Sequence, residues 1–134
     1  VVCASLTIIH ALGTCTLKTG GCAKFPLAED PMLAGHFLPQ LLGFVMFAVY
    51  GTQVWLGQPP AEEPIGAYYF PGEVQACFMV GFQLYELAAT VPSKRLRGPA
   101  NTLVAHHVIT LLLALLAYNY QAYQHFGPFF FGIS

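Results

Sequence analysis

Leu103-Val-Ala-His-His-Val-Ile-Thr-Leu-Leu-Leu-Ala-Leu-Leu-Ala-Tyr118 decides how the rest of this chain is read. As a helix the stretch is long and apolar enough to cross a bilayer. It nevertheless carries two adjacent histidines, His106 and His107. Ionisable side chains inside such a segment are costly and mark functional sites by default.

Composition extends the same reading to the whole chain. Of 134 residues, 56% are hydrophobic and 8% charged, with a mean hydropathy of +0.60. A soluble domain carries about 25% charged residues, and a chain this short still needs a polar surface in water. The formal net charge of −1 offers no basic surface for nucleic acid. Cys3, Cys15, Cys22 and Cys77 form no Cys-x-x-Cys pair, so they read as small buried apolar residues, neither a zinc site nor a disulfide framework. Val1 and Ser134 both lie inside apolar runs, which reads as a fragment with its first and last spans cut; no secretory signal can be judged from it.

The expected fold is all-α: a polytopic transmembrane helix bundle, incomplete at both ends, forming one domain. Its spans fall near 1–17, 37–56, 74–91, 103–118 and 126–134. Pro26, Glu29, Asp30 and Pro31 predict a loop before the second span, and Pro39 sits near that span's start. Four prolines between residues 57 and 72 predict an irregular connection, with Tyr68, Tyr69 and Phe70 as an interfacial belt. Gln75, Met79, Gln83, Glu86 and Thr90 make a semi-polar stripe at helical spacing, which should turn towards protein. Gln75 and Gln83 are expected to find partners inside the bundle. Asn101 or Thr102 can cap the fourth span.

Charge placement gives an orientation. Lys18 and Lys24 lie in the first connection, and Lys94, Arg95 and Arg97 in the third. The second holds Glu62, Glu63 and Glu73 with no Lys or Arg. Alternating crossings put connections 18–24 and 94–97 on one side, the cytoplasmic side by the positive-inside rule. Counted from that side, Glu86 and the histidine pair lie roughly 6–8 Å deep and His10 roughly 10 Å, at 1.5 Å per residue. Three spans thus bring His10, Glu86, His106 and His107 to similar depth, where they can line one cavity. A carboxylate beside imidazole fixes its tautomer and stabilises imidazolium, and a histidine there can act as general base or acyl acceptor. Adjacent histidines point about 100° apart on a helix, so the two need not share a role. Without a His-x-x-x-His or Cys-x-x-Cys pattern, no metal is expected.

Three elements resemble the TLC-domain family, which includes translocon-associated membrane proteins, ceramide synthases and a neuronal lipofuscinosis protein. Ile8-Ile9-His10-Ala11 resembles the histidine-alanine of its early spans. Gly81-Phe-Gln-Leu-Tyr-Glu-Leu87 resembles its glycine-aromatic-x-x-Tyr-Asp-Leu element, with Glu86 where Asp is usual. His106-His107-Val-Ile-Thr110 resembles its histidine-pair motif. Their order along successive spans makes the likeness more specific than any one of them.

The resemblance implies an endoplasmic-reticulum or related membrane protein of at least five helices, with membrane lipids as partners. It makes His106 and His107 candidate catalytic residues and Glu86 their orienting partner. His10, Gln83 and Thr110 are candidates to contact lipid. Ceramide synthases acylate sphingoid amines from acyl-CoA, and their histidine pair is essential. Here Gln121 and Gln124 replace the Asn and basic residue of that motif's second half, and Phe129-Phe-Phe-Gly-Ile-Ser134 stands before any Asp-rich tail. The first reading is therefore a TLC-domain protein of lipid handling, sensing or homeostasis, with no cofactor. The second is a ceramide synthase-like acyltransferase, with acyl-CoA as co-substrate. The third is a translocation- or cargo-associated membrane protein.

Overall fold

Asp30-Pro31 opens the longest helix. The Asp30 carboxylate accepts from the Leu33 N–H at 3.2 Å, and Pro31 occupies the first turn, where its missing N–H costs nothing. A computed structural model describes residues 1–19 and 30–132. Five α-helices account for most of it: α1 (Val2–Thr19), α2 (Pro31–Gly57), α3 (Phe70–Thr90), α4 (Thr102–Asn119) and α5 (Gly127–Gly132). A 3₁₀ turn, Pro99–Asn101, leads into α4. No strand occurs among the described residues. Lys24, Cys22 and residues 25–29 of the loop expected at 25–35 lie outside them.

Two helical stretches, Pro31–Gly57 and Pro99–Asn119, are long and apolar enough to cross a membrane, and Val2–Lys18 is a shorter apolar helix. That points to a membrane location. The distribution of side chains points the same way. Leu38, Leu42, Val45 and Val49 of α2 and Ile109, Leu112 and Leu116 of α4 are exposed, while His10, His36, Gln75, Gln83, Glu86 and His107 are buried. Large exposed apolar faces around a polar interior invert the soluble pattern.

α3 is the central element, packed against α1, α2, α4 and α5. Its stripe Gln75, Met79, Gln83, Glu86 and Thr90 is buried along its whole length, as the spacing predicts. The face of α2 that meets its neighbours is a four-residue repeat, Gly35, Pro39, Gly43, Phe47 and Gly51, all buried. Small residues at that spacing let helices approach closely. A Cβ on Gly43 would strike the Phe82 ring, and one on Gly51 would strike α5 at Gly132. Leu6, Phe47, Met79, Phe82, Tyr85 and Ala114 make the apolar core between the helices.

Several sequence expectations are corrected. α2 begins at Pro31, not near residue 37, because Asp30 and Pro31 cap the helix where they were expected to break it. Pro39 is therefore inside α2, one turn past His36. Asn101 stands at the N-cap of α4 in the left-handed region, and neither it nor Thr102 supplies a side-chain cap bond. Cys15 and Cys77 are exposed, on the outer apolar faces and not in the core, while half-buried Cys3 packs against the core as expected. Gln75 finds no partner: both of its amide atoms are buried without a hydrogen bond.

Both ends of the bundle are tied. Arg95 meets Asp30 at 2.9 Å, joining the turn after α3 to the start of α2. At the opposite end, Tyr123 N–H donates to Ile65 O at 2.8 Å, joining the α2–α3 and α4–α5 connections. Helices α1, α2, α3 and α4 thus alternate in direction, with the basic turn 94–97 at the Asp30 end.

Candidate functional site

The semi-polar face of α3 delivers Tyr85 and Glu86 to the centre of the Asp30 half of the bundle. Glu86 is 1% exposed. Its Oε2 lies 3.2 Å from His36 Nε2 on α2 and 3.6 Å from His107 Nε2 on α4. Neither contact is a formed hydrogen bond, and Glu86 Oε1 has no hydrogen-bond partner either. A buried carboxylate left this way lacks the hydrogen bonds that normally offset its desolvation.

A hydrogen-bonded chain continues on both sides. His36 Nδ1 lies 2.8 Å from the Tyr85 hydroxyl, which in turn lies 3.2 Å from His10 Nδ1 on α1. His10 Nε2 donates to Met32 O at 3.0 Å. On the α4 side, His107 Nδ1 lies 2.9 Å from Gln83 Oε1. The rings of His36 and Tyr85 stack at 5.6 Å, and His10 meets Tyr85 edge-on at 6.0 Å. Four helices thus contribute one buried polar line: His10, Tyr85, His36, Glu86, His107, Gln83.

Two cavities open beside it. A pocket of about 410 Å³ is lined by Glu86, His36, His106 and His107, with Leu96 and Leu103 towards the basic turn. A larger groove of about 830 Å³ runs between α2, α3, α4 and α5, walled by Phe44, Met79, Phe82, Leu113, Leu116 and Phe131. His106 and Phe44 border both. The polar pocket therefore sits at the head of an apolar groove.

The sequence-predicted residues divide on this geometry. His10, Glu86 and His107 belong to the buried line, with Gln83 at its end. His106 does not enter it. It is exposed and stands between the two cavities, its ring 5.4 Å from that of His107. The roughly 100° between neighbouring residues on a helix separates the two histidines. Thr110 lines the larger groove and donates to His106 O at 2.9 Å.

His36 and Tyr85 were missed. His36 falls between the loop expected to end at Gly35 and the span expected from residue 37, yet Asp30-Pro31 is a helix-start signal that places it inside α2. In the sequence Tyr85 stands out only as part of the Gly81–Leu87 element. Its neighbour Glu86 faces α2 and α4, while Tyr85 reaches α1 and α2, so the two adjacent α3 residues share His36 and extend the line in different directions.

Among the described residues, no group of three or more His, Cys, Asp or Glu side chains has metal-binding geometry. The chemistry open to the cluster is proton transfer and hydrogen bonding to a group in the smaller pocket. Comparisons with family models, characterised proteins and solved structures return no match.

Proposed function

We propose that this chain is a polytopic TLC-domain protein that binds and handles membrane lipids, with the acyl chain in the larger groove and the headgroup against Glu86, His106 and His107. One observation carries the reading: a buried carboxylate–histidine cluster opens at the head of an apolar groove. A lipid has that same division between polar and apolar parts, and apolar grooves with a few convergent polar groups are the usual form of small-molecule sites. The inverted side-chain distribution supports the membrane setting. The Arg95–Asp30 contact supports placing both basic connections on one side, which the positive-inside rule makes cytoplasmic. An endoplasmic-reticulum location follows from the family resemblance.

The test is photocrosslinking of the full chain in liposomes with a lipid carrying a photoreactive acyl chain. Adducts are expected on groove residues of α2 and α4. Ala48→Trp, which fills the groove without touching the cluster, should reduce labelling at least about fivefold, a loss of about 1 kcal/mol in binding. Equal labelling of wild type and Ala48→Trp would sink the reading.

The position of His106 favours a second reading, the ceramide synthase-like acyltransferase. Its imidazole is accessible from both cavities, so it could meet a thioester from one side while His107 and Glu86 take a proton on the other. Liposomes supplied with acyl-CoA and a sphingoid base test this directly. Product that vanishes in His106→Ala and His107→Ala supports acyl transfer; no turnover by folded wild type removes it for those substrates.

A further inference from the structure

Hydrogen-bond direction says more about the cluster than distance does. A carbonyl oxygen only accepts, so His10 Nε2 carries a hydrogen and donates it to Met32 O. Neutral His10 then presents a bare Nδ1, which takes the single Tyr85 hydroxyl hydrogen. Tyr85 Oη in turn accepts from His36 Nδ1–H. Neutral His36 is left with a bare Nε2, 3.2 Å from Glu86 Oε2. On the α4 side, Gln83 turns its amide nitrogen to the Met79 sulfur at 3.3 Å. A thioether accepts but has no hydrogen to give, so the amide oxygen faces His107 and takes its Nδ1 hydrogen. Neutral His107 also has a bare Nε2, 3.6 Å from the same carboxylate oxygen.

With Glu86 ionised and every imidazole neutral, two bare ring nitrogens would stand 3.2 and 3.6 Å from one buried anionic oxygen. No hydrogen-bond donor of the chain offsets that repulsion at the two buried Glu86 oxygens. One added proton removes it. On Glu86 Oε2 the proton bridges to His36 Nε2; on His36 or His107 it makes an imidazolium facing the carboxylate. On His10 Nδ1 it reverses the Tyr85 hydroxyl, and His36 then turns its own hydrogen towards Glu86. In every case the cluster is electrically neutral, the state that burial favours.

We infer that His10, His36, Glu86 and His107 together hold one exchangeable proton, and that Tyr85 relays it between the Glu86 pocket and the His10 end. The transfer balances within the chain. The Glu86 O–H bond breaks as His36 Nε2–H forms, His36 Nδ1–H breaks as a new Tyr85 O–H forms, and the old Tyr85 O–H breaks as His10 Nδ1–H forms. His10 is anchored to Met32 in the first turn of α2, so the relay leads towards the end that carries Asp30 and Arg95. The groups bearing on Glu86 are His10 from α1, His36 from α2, Tyr85 from α3, and His106 and His107 from α4, while the turn after α3 contributes Leu96 to the pocket. The inference rests on this geometry and does not depend on what occupies the groove.

Nuclear magnetic resonance on the full chain in phosphatidylcholine bilayers, with labelled histidine and glutamate and no added ligand, counts the proton. At neutral pH, either a protonated Glu86 or one imidazolium is expected. An ionised Glu86 with His10, His36 and His107 all neutral overturns the inference. The relay has its own measurement, the rate at which the infrared carboxyl band of Glu86 responds to a pH jump. Tyr85→Phe removes the relaying hydroxyl and should slow the response about tenfold, the effect of one lost hydrogen bond on a barrier, while the proton count stays the same. An unchanged rate removes Tyr85 from the relay. Should Tyr85→Phe fail to fold, wild-type rates in mixtures of light and heavy water decide it: a relay of three moving protons gives a curved dependence on deuterium fraction, and a straight line, the mark of one moving proton, removes the relay.

Discussion

The two ends of this bundle use polar side chains in opposite ways. At the end formed by connections 58–69 and 120–126, Gln124 is fully buried, and both halves of its amide are used. Its Oε1 accepts from Tyr69 N–H at 2.8 Å, and its Nε2 donates to Ala117 O at 3.0 Å. His125 stacks on Tyr69 at 4.5 Å, and Gly72 lets α3 press against the Gln124 backbone. At the Asp30 end, the buried groups are titratable, and Glu86 keeps an unpartnered oxygen that borders a cavity. Saturated neutral groups fasten an element in place. A carboxylate with spare acceptor capacity does little to fasten its own helix, and instead leaves a place for a proton or a ligand.

The comparison breaks first at Gln124. Gln124→Ala leaves the part-buried Tyr69 N–H and the buried Ala117 C=O without these partners, the buried group at about 1–3 kcal/mol and the other at less, so a loss of about 2–3 kcal/mol is expected. Detergent-induced unfolding of the purified chain measures it. The Glu86 proton signal of the variant, under conditions where it stays folded, should match wild type. If Gln124→Ala is as stable as wild type, the clasp does not hold the two connections together.

Glu86→Gln is expected to do the reverse. Exchanging a poorly satisfied buried carboxylate for a neutral isostere changes stability by less than about 1 kcal/mol. Lipid photolabelling should fall by about tenfold or more, the effect of one lost charge-assisted hydrogen bond, and the infrared carboxyl band that responds to the pH jump should disappear. A stability loss as large as that of Gln124→Ala would make Glu86 a structural pin and erase the distinction between the two ends.

What the sequence revealed of this arrangement depended on the kind of signal. The stripe from Gln75 to Thr90 was legible because a helix buries one face at a fixed period, and five residues shared that face. Glu86 and His107 were legible because a titratable group in an apolar run is conspicuous. His36 was not, since finding it required recognising Asp30-Pro31 as a start and not a break. The Gly35–Gly51 repeat in α2 was obscured by uniform hydrophobicity, where close approach and lipid contact look alike. Gln124 read as a departure from a family motif, whereas its structural role, pairing with Tyr69 N–H, joins residues far apart in the chain and leaves no local pattern.

The smallest expected effect lies at the surface of the clasp end. The Tyr68 hydroxyl donates to Glu73 Oε2 at 2.7 Å, and this hydrogen bond, aided by the carboxylate charge, raises the phenol above its ordinary value of 10.0. A raised folded value means that the contribution to stability is fully present below pH 10 and is lost as pH climbs through the folded value. The pair is exposed, so its effect should be small and should shrink as salt screens the charge. Phenolate absorbance, taken as the difference between wild type and Tyr68→Phe, isolates this titration from the other tyrosines. Glu73→Gln should move it back towards 10.0. If it does not move, Glu73 has no hold on Tyr68, and the fastening at this end falls to the buried Gln124 amide, its backbone partners and the Tyr69–His125 stack. That outcome would sharpen the contrast with the Asp30 end, because only buried groups would then distinguish the two.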